Sequence, residues 1–204
     1  MKIAIFIIWA FLVLCGFWKL FVYSQTPGLQ SPNADWPKGS KLTKNERGST
    51  LVIFLHPQCP CSQATIGELE RLMPFIQGKV KILVVFVQSE NRSEEWTKQD
   101  LWNQVSSIPK VEMILDEKAR EAIQFSAQTS GQVFFFNEKA QLIFKGGLTP
   151  ARGHRGDSFG REVILSYIKN PLMTKSEAPV FGCSLPLPLE AKAPRRLENY
   201  ATPR

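Results

Sequence analysis

The sequence predicts an α/β fold in three layers, with a mixed central sheet and helices on both faces, preceded by an N-terminal transmembrane helix. Three observations predict it. Short apolar runs alternate with helical patterns over residues 49–170, only a few polar residues separate the last two runs, and a long apolar segment precedes them all. Because parallel strands need crossover helices whereas antiparallel neighbours can share a tight turn, this order favours a mixed sheet.

Residues 1–23 are predicted to form a transmembrane anchor or a signal segment. Lys19 is the only charged residue between Ile3 and Tyr23, and a helix of this length spans about 31 Å, close to the thickness of a bilayer core. The segment lacks the small residues of a cleavage site, which favours an uncleaved anchor over a cleaved signal peptide. Lipid modification of Cys15 is a third alternative, disfavoured by the bulky Leu14 before it. Each alternative sends the rest of the chain into a compartment where disulfides persist.

The remaining chain divides into a linker, a domain and a tail. Residues 24–48 contain three prolines and three glycines and are predicted to be a flexible linker. Residues 49–170 form the predicted domain, and the proline-rich tail, 171–204, is expected to be irregular. Apolar runs predict strands at 50–55, 80–87, 111–116, 132–137 and 141–146, and helical spacing predicts helices at 62–76, 93–105, 117–125 and 157–170. Ser62 is the expected N-cap of the first of these helices, and Asp157 or Ser158 that of the last.

The charge pattern argues against a nucleic-acid partner. The net charge of +7 is spread along the chain rather than gathered into blocks. Basic residues near the C-terminus alternate with Pro, Ala and Glu and lack aromatic stacking partners. We therefore interpret the charge as a contribution to solubility.

Two cysteines lie one residue apart at the first strand–helix junction, in the stretch HPQCPCS. A helix N-terminus stabilises an anion, so Cys59 is expected to have a lowered pKa and to act as a nucleophile. His56 would add positive charge when protonated. Cys61 is the expected resolving thiol, and a disulfide across one residue would be strained and easily reduced. Both sulfurs are expected to meet solvent at the edge of the sheet.

Three alternatives to this assignment remain open. Cys183, in the tail, would be the resolving thiol if the tail folds back over the site. We expect no cofactor, and the alternative is a bound metal ion, above all copper. Cys59 and Cys61 with His56 or His154 would offer it thiolate and imidazole ligands. Otherwise the two cysteines are small residues at a tight junction, and His154 is a loop residue bonded to nearby backbone.

The order of elements, with cysteines at the first junction, resembles the thioredoxin-like superfamily over residues 48–170. On that pattern Cys59 takes the exposed nucleophile position, Ser62 stands where the second cysteine is usual, and Gly131 stands where the family has a cis-proline. The stretch MILDEKAREAIQFSAQTSGQVFFFNEKAQLIFKGG resembles membrane-tethered, extracytoplasmic members. HPQCPCS, GGLTPARGHRGDSFG and a late FGC resemble a bacterial group named RedB-type thioredoxin-like proteins.

The resemblance implies a thioredoxin-like three-layer fold and thiol–disulfide exchange with a protein thiol or disulfide client. It also implies a single-pass protein of a bacterial inner membrane whose domain lies in the periplasm or outside the cell. The losses of the second family cysteine and of the cis-proline are departures from the family's pattern. Two other functions are compatible with the fold: a copper carrier and an inactive interaction module.

Overall fold

The computed structural model describes residues 2–32, 35–89, 92–171 and 175–188 of the 204-residue chain. The helices described are α1 (Lys2–Gln25), α2 (Pro60–Ile76), α3 (Glu94–Thr97), α4 (Asp100–Ser106), α5 (Arg120–Gln124) and α6 (Phe159–Lys169). The strands described are β1 (Ser49–Leu55), β2 (Val80–Val87), β3 (Val111–Asp116), β4 (Gln132–Phe136), β5 (Leu142–Gly146) and β6 (Ser176–Glu177).

The strands form one mixed sheet in the order β3-β2-β1-β4-β5-β6. The first three strands along the chain are parallel to one another, and β4 runs antiparallel to both β1 and β5. The turn between β4 and β5 is closed by Asn137, whose side-chain oxygen accepts hydrogen bonds from the N–H groups of Lys139 and Gln141. The mixed sheet and its hairpin are therefore confirmed.

The core lies on both faces of the sheet. Alternate residues of a strand point to opposite faces, and in β1 both sets are fully buried. Leu51, Ile53 and Leu55 pack beneath α2, α4 and α6, whereas Val52 and Phe54 face the layer around Phe125, just after α5. Burial on both faces explains the uninterrupted apolar run of this strand. Helices on both faces are thus confirmed.

Helix α2 begins earlier than the sequence analysis predicts. Pro60 occupies its first turn and Cys59 is its N-cap, a position for proline that needs no backbone donor. The assignment of Ser62 as N-cap is therefore wrong. Its hydroxyl instead donates a hydrogen bond to the His56 carbonyl, 2.7 Å away.

Two of the predicted helices are interrupted. The helix expected at 93–105 is divided into α3 and α4, with the extended residue Gln99 preceding α4. The helix expected at 117–125 is a short 3₁₀ turn followed by α5, because Lys118 and Ala119 adopt left-handed backbone angles. At the other end of the domain, Ser158 is the N-cap of α6, one of the two residues expected there.

The segment expected to be a flexible linker makes specific contacts with the domain. The Trp36 ring packs edge-on against Phe125 and Phe136, with centroids 5.3 and 5.1 Å apart. The buried Ser31 hydroxyl donates to the Phe125 carbonyl, and the Glu121 carboxylate accepts a hydrogen bond from the Lys41 N–H. These contacts fix the described parts of segment 24–48 on the sheet face opposite α2.

The tail, expected to be irregular, contributes a strand and part of the core. Its two-residue strand β6 pairs in parallel with β5. Val180, Leu185 and Leu187 are buried. The part of the predicted tail from 189 to 204 lies outside the described residues.

Helix α1 coincides with the segment predicted to be an anchor or signal. It is long and apolar enough to cross a membrane, and none of its residues is buried against the domain. Its large apolar side chains are exposed along its whole length. A lipid environment would satisfy this surface, whereas water would not.

Replacement of the fully buried Ile66 of α2 tests the packing of this core. Ile66→Ala should lower the free energy of unfolding by about 2–5 kcal/mol, since the cavity beneath the helix cannot close. The matched change Ile123→Ala, on the exposed side of α5, should cost less than about 1 kcal/mol. Urea unfolding in detergent measures both, and equal losses would contradict the core described here.

Candidate active site

Three cysteine sulfurs meet at the end of β1. Cys59 caps α2, Cys61 lies in the first turn of that helix, and Cys183 comes from the tail. Their Sγ atoms all lie within 4.8 Å of one another, and the Sγ atoms of Cys59 and Cys183 are 2.6 Å apart. All three are free thiols. The tail therefore does fold back over the cysteine pair, one of the alternatives that the sequence leaves open.

The tail is held at the site by its backbone. The Ser130 N–H donates to the Cys183 carbonyl and the Leu185 N–H donates to the Gln128 carbonyl, each at 2.8 Å. A bridge between Thr129 and Ser184 lies between these two bonds, so the tail runs antiparallel to residues 128–130. These bonds fix Cys183 beside Cys59 through the main chain.

Gly182 permits this close approach. A Cβ atom at this position would overlap the Ser130 carbonyl oxygen, which belongs to a fixed backbone. Glycine is therefore required immediately before Cys183 because the two chains come too close for any side chain.

The sulfurs are less exposed than the sequence analysis predicts. Cys59 is 3% exposed and Cys61 is 6% exposed, while Cys183 is half-buried. The expectation that both sulfurs of the pair meet solvent is therefore wrong. The tail lies over Cys59, and the backbone of Gly153, in the loop after β5, lies near the Cys61 sulfur. Cys183 is the sulfur nearest to solvent.

The cluster concentrates negative charge on Cys59. Hydrogen bonds from the Cys183 and Cys61 thiols lower the pKa of Cys59 far below its ordinary value, although burial opposes this. Backbone N–H groups of Cys183 and Ser62 bond the same sulfur and act in the same direction. Helix α2 adds its N-terminal dipole. The prediction of a lowered pKa at Cys59 agrees with these contacts, and its principal cause is the neighbouring thiols.

The other two thiols are kept protonated. Hydrogen bonds with Cys59 and Cys61, together with burial, raise the pKa of Cys183. The bond with Cys183 lowers the pKa of Cys61, but the bond with Cys59, burial and the charge on Cys59 outweigh it, so this pKa is raised overall. One thiolate and two thiol donors therefore share the site.

His56 orients the turn but is uncharged at neutral pH. Burial lowers the pKa of His56, with the negative charge of Cys59 opposing this in part. Its Nδ1 atom accepts a hydrogen bond from the Gln58 N–H, 3.2 Å away, and its ring meets the Trp96 ring edge-on at 5.7 Å. The positive charge expected from this histidine is therefore not available to the thiolate near pH 7.

Ser130 is a site residue that the sequence analysis missed. Its buried hydroxyl accepts a hydrogen bond from the His56 N–H at 2.8 Å and lies 2.7 Å from the Ser62 hydroxyl. Because Ser62 already donates to the His56 carbonyl, Ser130 is the donor in the serine pair. A closed ring of hydrogen bonds thus ties the end of β1, helix α2 and the loop before β4. In the sequence, only the neighbouring Gly131, at the position of the family's cis-proline, pointed to this loop.

Gly131 occupies the loop where the family resemblance places a cis-proline. None of the described peptide bonds is cis, and Gly131 has a left-handed φ of +88°. Its N–H donates to the Phe54 carbonyl at 2.8 Å, and a Cβ atom here would lie 2.8 Å from the Thr65 hydroxyl oxygen. Glycine is needed for both reasons, and it places the loop of Ser130 directly against β1 and α2.

The histidines do not join the sulfurs. In the described parts of the chain, the group able to hold a metal ion consists of Cys59, Cys61 and Cys183. His154 is exposed, and its Nδ1 atom lies 2.7 Å from the Arg152 carbonyl, as in the alternative of a backbone-bonded loop residue. Three thiols, rather than the alternative set of two cysteines with His56 or His154, are the ligands that the fold brings together.

No family model and no curated protein matches the chain. Solved structures do match. An uncharacterized conserved protein from Geobacillus kaustophilus is 18% identical, with a TM-score of 0.57 over 81% of this chain and 94% of that one. A hypothetical protein from Sinorhizobium meliloti is 14% identical, with a TM-score of 0.58 over 81% of this chain and 98% of that one.

A third match is the pneumococcal exposed lipoprotein thioredoxin from Streptococcus pneumoniae. It is 13% identical, with a TM-score of 0.45 over 61% of this chain and 85% of that one. The strand order β2-β1-β4-β5, with β4 antiparallel and cysteines directly after β1, is the arrangement that the resemblance implies. The fold is thioredoxin-like. The narrower resemblance to the RedB-type group stays a prediction.

Removal of one thiol donor tests the charge distribution in this site. Cys183→Ala should raise the pKa of Cys59, since the strongest hydrogen bond to the thiolate is lost. The thiolate's ultraviolet absorbance, titrated against pH, measures this change. The matched control Cys15→Ala should leave the titration of the Cys59 thiolate as it is in wild type. An unchanged titration in Cys183→Ala would contradict the assignment of that donor.

Proposed function

We propose that this protein is a membrane-anchored thiol–disulfide oxidoreductase that acts on a protein client on the extracytoplasmic side of a bacterial inner membrane. The observation that carries the proposal is the contact between the Cys59 and Cys183 sulfurs, 2.6 Å apart, at the N-terminus of α2. A thiolate poised beside a thiol donor is the arrangement that disulfide exchange requires.

The reaction begins when the tail that covers Cys59 moves aside and the Cys59 thiolate attacks one sulfur of a client disulfide. A bond forms between Cys59 and that sulfur while the client's S–S bond breaks, and the second client sulfur leaves as a thiolate that takes up a proton. Cys183 then loses its proton and attacks the Cys59 sulfur, which releases the first client thiol. Two electrons pass to the client and a Cys59–Cys183 disulfide remains.

An external dithiol completes the cycle by reducing this disulfide. The same steps in reverse would oxidise a dithiol client, so the relative reduction potentials of client and donor set the direction. Cys61 has a supporting role, because its thiol donates to the thiolate and its sulfur lies within reach of both partners. We therefore assign resolution to Cys183 rather than to Cys61.

Three of the predicted site residues, together with Ser130, position the thiols. The hydroxyl groups of Ser62 and Ser130 hold the turn that carries Cys59. The His56 carbonyl accepts a hydrogen bond from Ser62, and the His56 N–H donates one to Ser130. Gly131 sets the loop to which the tail is bonded. Their loss should misplace the nucleophile without removing it.

Binding of a soft metal ion is a second candidate function, and the cluster of three thiols favours it. Three sulfur atoms that all lie within 4.8 Å of one another offer one Cu(I) ion three soft ligands, provided that the Cys59 and Cys183 sulfurs move apart from their 2.6 Å contact. Cys183 would take the place that the sequence analysis gave to a histidine. Metal and client would compete for the same sulfurs.

Single cysteine variants test the exchange reaction and its order. Cys59→Ser should reduce turnover of a disulfide-bonded protein substrate by on the order of 100-fold or more, because the nucleophile is lost. Cys183→Ser should accumulate a mixed disulfide between Cys59 and the substrate, visible by mass spectrometry. The matched variant Cys61→Ser should keep most of the activity, and a mixed disulfide that accumulates in Cys61→Ser alone would reverse the assignment of the resolving thiol.

Copper titration of the reduced protein separates the second candidate. If metal binding is the function, wild type should retain one Cu(I) ion against a competing chelator. Cys183→Ser should then lose at least about 10-fold in affinity with the loss of its third ligand, whereas His154→Ala should bind as wild type does. Retained copper together with negligible exchange activity would favour the carrier over the oxidoreductase. Failure in both assays would leave the inactive interaction module.

A further inference from the structure

Arg152 joins the end of α1 to the tail. Its backbone N–H donates to the Ser24 carbonyl at 3.0 Å and its Nε donates to the Thr26 carbonyl at 2.8 Å. The guanidinium group also lies over the Tyr23 ring, 5.0 Å from the centroid. On its other side, Nη1 donates to the Gly182 carbonyl at 2.5 Å. One side chain thus contacts both the last turn of the apolar helix and the residue before Cys183.

The next residue reaches the sulfur cluster itself. The backbone N–H of Gly153 lies near enough to the Cys61 sulfur to act to lower the pKa of that thiol, and consecutive Cα atoms are only about 3.8 Å apart. The chain therefore passes from the end of α1 to the thiols within two residues, 152 and 153.

A second set of contacts makes the same connection independently. The Gly28 N–H donates to the Val180 carbonyl at 2.8 Å, and the Thr129 hydroxyl donates to the Leu29 carbonyl at 2.7 Å. A Cβ atom at Gly28 would overlap the Thr129 side chain, so the two segments are in direct contact. The residues that follow α1 are thus bonded to both segments that enclose Cys183.

The exposed surface beside these contacts is basic. Arg152 is half-buried and Arg155 is exposed, while the exposed Asp157 that follows them is paired with Arg161. Cationic side chains beside an interfacial tyrosine match the anionic headgroup region of a bilayer. Because α1 exposes large apolar side chains that lipid would cover, its last turn marks the level of the membrane surface.

We propose that the thiol site is held at the membrane surface and that its client is a membrane protein whose reactive cysteines lie at the lipid–water interface. This inference rests on the proposed oxidoreductase function. Soluble clients would have to approach between the domain and the bilayer. The tether formed by Arg152 thus serves to place the thiols within reach of an interfacial client.

Lipid-bound labelling tests the position of the site. The full chain is placed in vesicles that contain a lipid with a maleimide headgroup, and a soluble maleimide serves as the reference reagent. One probe keeps Cys183 alone, with Cys15→Ala, Cys59→Ser and Cys61→Ser. The control replaces all four cysteines and adds Lys139→Cys, in the β4–β5 turn at the opposite end of the strands. One strand length of about 17–20 Å separates the two ends.

The ratio of lipid labelling to soluble labelling should be on the order of ten-fold higher at Cys183 than at the control position, since proximity raises the effective concentration. A flexible glycine–serine insertion between Gln25 and Thr26, combined with Arg152→Ala, should remove that difference. Equal ratios in the chain without the insertion, or a higher ratio at the control position, would overturn the proposal.

Two substrates separate this inference from the proposed function. One is a transmembrane peptide with a disulfide-bonded loop at the membrane surface, and the other is the same loop as a soluble peptide. The chain with its native tether should reduce the membrane-bound loop on the order of ten-fold faster, and the insertion variant should lose only this preference. Equal reduction of both loops would refute the membrane client alone, whereas reduction of neither loop would refute the oxidoreductase.

Discussion

The backbone pairing between the tail and the loop before β4 is the constraint on which the site depends. Two hydrogen bonds of 2.8 Å, Ser130 to Cys183 and Leu185 to Gln128, bring a thiol from the tail to the end of β1. Without them Cys59 would lose its closest hydrogen-bond donor and much of the cover that keeps it 3% exposed. The same pairing places a second thiol where resolution of a mixed disulfide requires it.

A rigid scaffold supports this pairing from below. The hydroxyl groups of Ser62 and Ser130 close a ring of hydrogen bonds with the backbone of His56, so the turn and the loop cannot move independently. Such buried networks fix one geometry because every polar group in them is satisfied. In this fold a serine therefore fills a structural role at the position where the family resemblance places a second cysteine, and the second and third thiols come from Cys61 and Cys183.

The sequence predicts the sheet well because the strands bury both faces, which leaves uninterrupted apolar runs, and the short polar turn at Asn137 predicts the hairpin. The position of the tail leaves no such pattern, since main-chain hydrogen bonds are independent of side-chain type. Gly182 makes a close approach possible, but its partner Ser130 could not be identified without the fold. The burial of Cys59 was missed for the same reason. The role of Cys59 as N-cap could have been predicted from the sequence, because Pro60 favours the first turn of a helix.

Mass mapping of the disulfide formed on mild oxidation of the full chain tests the central claim most directly. We expect a disulfide between Cys59 and Cys183, the two closest sulfurs, with Cys61 left free for alkylation. A disulfide between Cys59 and Cys61, with Cys183 alkylated at the rate of an exposed thiol, would contradict the placement of the tail and the mechanism built on it.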